Sequence, residues 1–102
     1  MKVSNAFETF AKEAPEAQKA WMEVVQKLDA ASTLDHKTEE LAYLAVLAAV
    51  RLESGLSFHV KMAKSHGATR DEIVSSILVG LPAVGNTVIQ SLPIALAAFD
   101  EE

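Results

Sequence analysis

Cysteine is absent from the 102 residues, and no other absence excludes as much chemistry. Without a thiol there is no disulfide, no thiolate metal ligand and no cysteine nucleophile. The absence agrees with a reducing compartment, and a cytoplasmic location is expected. Glycine and proline are scarce, at four and three residues, and aromatic residues make up 6% of the chain. A turn-rich β protein needs more glycine and proline, so the composition points to helices. Basic residues are outnumbered nine to fourteen, giving a net charge of −5. A nucleic-acid surface needs clustered Lys and Arg, and no such run exists, so no nucleic-acid partner is expected.

Charge itself is missing from Ile73 to Phe99, a stretch long enough to cross a bilayer. It is interrupted by Gly80, Pro82, Gly85 and Pro93, with Ser75, Ser76, Asn86, Thr87, Gln90 and Ser91 between them. Protein-covered helix is therefore expected, and no membrane span. The N-terminal MKVSNAFETFAKEAPEAQK is amphipathic and charged throughout, unlike a signal peptide.

What the chain has in abundance is apolar residues, at 50%. Its length predicts one domain over residues 1–102, and a domain this small buries only about two-thirds of its unfolded surface. The apolar content exceeds what such a core hides, so a homo-oligomer is expected.

The apolar spacing predicts five or six helices and no strand, an all-α fold. A first short helix covers residues 3–13, with Val3, Phe7, Phe10 and Ala11 on one stripe. Pro15 and Glu16 open a second, running to about Leu28, with Ala17, Ala20, Trp21, Val24, Val25 and Leu28 spaced at three and four. Asp35 is an N-cap for a third, in which LAYLAVLAAV is apolar all round and expected to be buried on all sides. Ser54-Gly55 breaks it. Leu56 to His66 forms a fourth helix, with Leu56, Val60 and Ala63 inward and Gly67 as its left-handed cap. Thr69 and Glu72 make a capping box for the next, which breaks around Gly80-Leu81-Pro82. The last helix is expected from Ala83 to Phe99, kinked at Pro93.

His59 and Glu40 are the candidate chemical residues. A histidine exchanges protons near neutral pH and suits a general acid or base, while the bland reading of His59 is a hydrogen-bonded core residue. Glu40, one turn into the third helix, is either a partly buried carboxyl needing a partner or a surface charge at a helix start. His36 and Glu40 lie four residues apart and His59 and His66 seven, but a metal site needs three or four converging ligands, so no metal is expected. Tyr43 and Trp21 read as packing residues.

The segment LDHKTEELAYLAVLAAVRLESGLSFHVKMAKSHGATRDEI, Leu34 to Ile73, resembles the carboxymuconolactone decarboxylase family. Glu40, an apolar helix, His59 nineteen residues later, Gly67 and the TRDEI capping box agree at fixed distances, and GLPAVGN downstream also fits. The family includes decarboxylases and AhpD-like alkyl hydroperoxidases. The resemblance implies an all-helical subunit assembled as ring-like trimers or hexamers, and a site containing Glu40 and His59. In hydroperoxidase-like members a Glu, a C-x-x-C pair and a His form a thiol relay. The two cysteines would fall on Leu52 and Gly55, and a further His on Ser54, so disulfide-cycling chemistry is closed to this chain. The decarboxylase branch needs no thiol, and its LxxHVxxA pattern resembles Leu56 to Ala63. It implies acid–base decarboxylation of a small carboxylate or lactone, without a cofactor. Substrate binding would fall to Arg51, Ser54, Ser57 and Lys61, with Lys64 and Arg70 as further cations. The aromatic and Arg-Pro-Gly segment of the decarboxylases is replaced by Ala30-Ala31-Ser32-Thr33. An oligomeric ligand-binding or scaffold protein that has lost its chemistry is the alternative.

Spacing leaves one question open. If the third helix runs straight from Asp35 to Glu53, Glu40 lies roughly 18–20 Å from the break, and His59 only about 6 Å beyond it. A simple hairpin would not join them. Either the helix bends or the site is shared between subunits.

Overall fold

Ser4 accepts a hydrogen bond from the Phe7 amide at 3.2 Å and so starts the first helix, α1 (Asn5–Glu13). The computed structural model describes residues 3–102. Pro15 opens α2 (Pro15–Ala31), at a position where its missing N–H leaves no bond unmade. The Asp35 carboxylate accepts from the Thr38 amide at 2.8 Å and caps α3 (His36–Val50). A 3₁₀ turn at Glu53–Gly55 leads into α4 (Leu56–Ser65). Thr69 and Glu72 exchange both bonds of a capping box at the start of α5 (Arg70–Leu78). A four-residue α6 (Leu81–Val84), a 3₁₀ segment (Gly85–Ser91) and α7 (Leu92–Asp100) complete the chain. The fold is all-α, with no strand among the described residues.

The core is built on α3, which packs against α4 and α5, while α7 lies across those two and the 3₁₀ segment fills the space between them. Its fully buried side chains include Leu44 and Ala48 from α3, Leu56, Val60 and Ala63 from α4, Ile73 and Ile77 from α5, Val88, and Ala95. Leu56, Val60 and Ala63 face inward as their spacing predicts. Each buried Leu, Ile or Val contributes about 1.5–3 kcal/mol. The last turn of α7 is fastened by basic residues. Arg70 donates to both carboxylate oxygens of Asp100 at 2.9 and 3.0 Å. Lys61 reaches Glu101 at 3.0 Å, and Lys64 donates to the Phe99 carbonyl at 2.6 Å while lying 4.6 Å from the centre of its ring.

Four details differ from the sequence-based expectation. First, α3 ends at Val50, because Arg51 takes a left-handed conformation (φ 62°) that a helix cannot continue. Second, Pro93 does not kink a long final helix. It stands in the first turn of α7, where proline fits, and residues 85–91 before it are a 3₁₀ segment set off by Gly85 at φ 77°. Third, α3 is not buried on all sides, since Tyr43, Val46 and Val50 stand 45–58% exposed along one stripe. Fourth, α2 buries nothing: Trp21, Val24, Val25 and Leu28 all lie open, and its substantial packing is with α1 alone. The radius of gyration, 14.0 Å, exceeds the roughly 13 Å of an average domain of this length, as a projecting arm requires.

The segment from Arg70 to Asp100 has the length and apolar content of a membrane span. In the fold it is divided into α5, α6, the 3₁₀ segment and α7, none longer than nine residues, against the ~20 that a spanning helix needs.

Candidate functional site

Glu40 and His59 meet within one chain. The Glu40 carboxylate lies 2.8 Å from His59 Nδ1, with the two side chains 19% and 27% exposed. A carboxylate in this contact accepts from Nδ1, which leaves Nε2 as the ring nitrogen free of it. Among the described residues nothing else hydrogen-bonds the ring.

The turn after α3 makes this contact possible without a bend in the helix. Arg51 reverses the chain, the Leu52 amide bonds back to the Leu47 carbonyl at 3.0 Å, and Gly55 comes to rest against Leu47. A Cβ on Gly55 would lie 3.6 Å from the Leu47 side chain. The connector therefore retreats along α3 before α4 begins. From Leu47 the rise to Glu40 is about 10 Å, and from Gly55 to His59 about 6 Å, a difference that two extended side chains cover. The hairpin estimate fails because it starts α4 at the tip of α3.

Two aromatic rings frame the histidine. Tyr43, one turn beyond Glu40, meets it edge-on with centroids 4.5 Å apart and planes at 62°, and Phe58 lies at 5.2 Å and 78°. Packing alone was expected of Tyr43, yet it is 45% exposed and forms a rim of the site. Its position three residues after Glu40 was the available signal, since residues three apart share a helix face.

The other candidate residues are not gathered there. Arg51 lies 3.4 Å from Glu53 on the surface and Lys61 is paired with Glu101. Lys64 and Arg70 are engaged at the end of α7. Ser54 is exposed in the 3₁₀ turn and Ser57 half-buried on α4, and among the described residues neither hydrogen-bonds to Glu40 or His59. The histidine pairs suggested by spacing are exchanged: His59 turns to Glu40, while His66 stacks on His36 with centroids 5.0 Å apart and planes at 25°. No group of three or more His, Asp or Glu side chains converges among the described residues.

Carboxylates at the starts of α3 and α5 are shifted by the helix caps they make. The backbone amide of Thr69 holds the Glu72 carboxyl below its usual range, with Lys37 at 2.9 Å adding to the effect. The Thr38 amide does the same for Asp35.

A fold of this kind, with a Glu–His pair between its central helices, defines a class, and comparison with known proteins names it. The model of the carboxymuconolactone decarboxylase family matches residues 15–98. The chain belongs to that family. The crystal structure of apo-lpg0406, a carboxymuconolactone decarboxylase family protein from Legionella pneumophila, is similar, with a TM-score of 0.78 and 26% identity. The likeness covers 93% of this chain and 85% of that one. A search of curated proteins gave no match.

Proposed function

We propose that this chain is an acid–base enzyme of the decarboxylase branch, acting on a small carboxylate or lactone, with His59 as the proton donor and Glu40 as the residue that positions it. The observation that carries this reading is the 2.8 Å contact between Glu40 and His59 Nδ1, made across nineteen residues by a specific fold-back of the chain. A carboxylate on Nδ1 sets the ring's orientation, leaving Nε2 to exchange a proton with substrate.

In the reaction, the bond between the departing carboxylate and its carbon breaks and carbon dioxide leaves. The electron pair enters the conjugated lactone carbonyl, and the vinylogous carbon then takes the proton that a cationic His59 carries on Nε2, leaving a neutral ring that solvent protonates again. No cofactor is needed to balance this step. Tyr43 and Phe58 would supply apolar walls beside the ring, which favours a compact, largely apolar lactone. Since Arg51 and Lys61 are spent on acidic partners, substrate binding through them requires those pairs to open.

The test is a panel of small unsaturated lactones and carboxylates, followed by loss of substrate absorbance and by the His59 ring signals in NMR. One member should be turned over and should shift those signals. His59→Gln should lower kcat/KM by about 10²–10⁴-fold, the range for a lost general acid. Glu40→Gln should lower it less while leaving KM nearly unchanged. If the ring signals move with a ligand but nothing turns over, the non-catalytic ligand-binding reading replaces this one.

A further inference from the structure

Two imidazoles face each other at the open end of the α3–α4 hairpin, and the activity proposed above gives them no role. His36 is the first residue of α3, and His66 follows the last residue of α4. Their rings are stacked with centres 5.0 Å apart and planes at 25°, and both residues are exposed. Among the described residues the one histidine ring held by a hydrogen bond is that of His59. The ring nitrogens of His36 and His66 are therefore open to another partner. The backbone beneath each ring is pinned. Asp35 accepts from the Thr38 amide at 2.8 Å and from the Glu39 amide at 2.9 Å, and Lys37 ties the same turn to Glu72 of α5 at 2.9 Å. The His66 amide bonds to the Ala63 carbonyl at 3.1 Å, and the amide of buried Ala68 bonds to that carbonyl at 3.0 Å. Gly67, at φ 95°, makes the turn between them.

The separation of the two rings has chemical content. A histidine ring turns easily about χ2, and the turn leaves its centre in place, because the Cβ–Cγ bond points through that centre. The distance between centres is thus what the backbone fixes. An imidazole nitrogen binds a late transition metal at about 2.1 Å, which puts the ion about 3.2 Å from the ring centre. Two rings on one ion then stand about 4.5 Å apart at a right angle and about 5.2 Å apart at the tetrahedral angle. The observed 5.0 Å falls between these values. Charge at the site suits a cation. The chain carries −5 overall, and Asp35, adjacent to His36, is held ionised by the Thr38 amide. His66 stands at the negative end of α4. The nearby cations are already engaged: Lys37 with Glu72, Lys64 with the Phe99 carbonyl and Arg70 with Asp100.

We infer that His36 and His66 together bind one divalent late transition-metal ion, of the class of Zn(II), Ni(II) and Cu(II), with water completing its coordination. Imidazole is a good ligand for each of these ions. Two protein ligands make an exchangeable site, in contrast to a closed structural one with four. The ion would join the start of α3 to the end of α4, one turn of α3 away from Glu40. The pairings that spacing suggested, His36 with Glu40 and His59 with His66, are not the ones used. The inference does not depend on the activity proposed above.

The test is a titration of the tag-free chain with zinc chloride and with nickel chloride. Calorimetry reads stoichiometry and affinity, and NMR follows the ring signals of the three histidines as zinc is added. One ion should bind per chain, shifting the signals of His36 and His66 and leaving those of His59 in place. The melting temperature should rise with ion concentration, since the ion binds the folded chain. His36→Ala and His66→Ala should each weaken binding about a hundredfold, because the second of two fixed ligands acts at a high effective concentration. The double variant should bind no more weakly than either single one. Both positions are exposed, so helical circular dichroism should be retained. His59→Gln should bind the ion as the unmodified chain does, which keeps this inference separate from the proposed activity. Four results would overturn it: no binding at millimolar ion, or unchanged affinity in either single alanine variant. So would one ion shared by two chains, or a shift of the His59 signals ahead of the other two.

Discussion

Glu72 joins three structural features at once. Its backbone amide donates to Thr69 Oγ1, its carboxylate accepts from the Thr69 amide at 2.9 Å, and its second oxygen meets Lys37 of α3 at 2.9 Å. Because these contacts favour the ionised form, its acidity is greater in the folded chain than in the unfolded one, where the usual value is ~4.3. A carboxyl lowered in this way adds stability above its unfolded value, and that stability is lost as pH falls through the folded value. Asp35 and Asp100 act in the same direction, held down by the Thr38 amide and by Arg70. The melting temperature should therefore fall as the pH drops below about 4.3. Glu72→Gln, which keeps an acceptor for the capping box, should flatten that fall, and thermal melts between pH 2.5 and 7 check it. At this scale the sequence was informative about residue identity but not about partners. Glu40 and His59 stand out by type, whereas their contact depends on a backbone reversal that no side-chain pattern announces.

Among the elements, the end of α3 decides the most. Arg51 is the only non-glycine residue with positive φ among those described, in a region that costs an L-residue roughly 1–2 kcal/mol. Glycine would be relieved of that cost but would lose more freedom on folding, so Arg51→Gly should leave stability unchanged or slightly raised. Arg51→Val, branched at Cβ, should lower it by at least about 1 kcal/mol and weaken any activity that needs Glu40 against His59. Denaturant titration of the two variants, with the His59 ring signals as a local reporter, separates the effects. Helix starts were legible here because Ser, Asp, Thr and Pro act locally through caps: Pro15, Asp35 and the Thr69–Glu72 box all stand where their chemistry places them. The stop at Arg51 was not legible, since the glycine that usually marks such a position is replaced by arginine. Pro93 misled for the opposite reason, because a proline in the first turn of a helix and one at a kink look alike in sequence.

At the scale of the molecule, apolar periodicity gave the inward face of α4 correctly, whereas the packing expected of Trp21 on α2 is not found. A stripe such as Trp21, Val24, Val25 and Leu28 states that a helix face is apolar, and is silent on whether the body of the chain packs against it.

The separation of nineteen positions from Glu40 to His59 also bears on the order in which the molecule forms. Closing so short a loop carries a modest entropic cost, and helical proteins rich in near-neighbour contacts fold in microseconds to milliseconds. The α3–α4 hairpin, and with it the Glu–His pair, should thus be in place before α7 is fastened across it. The α1–α2 arm, which touches the body least, should order last. Pulse-labelling hydrogen exchange during refolding should show amides of residues 44–50 and 60–65 protected first and those of α2 last. The candidate active site would then be the earliest part of the structure to exist, assembled while the arm is still unformed.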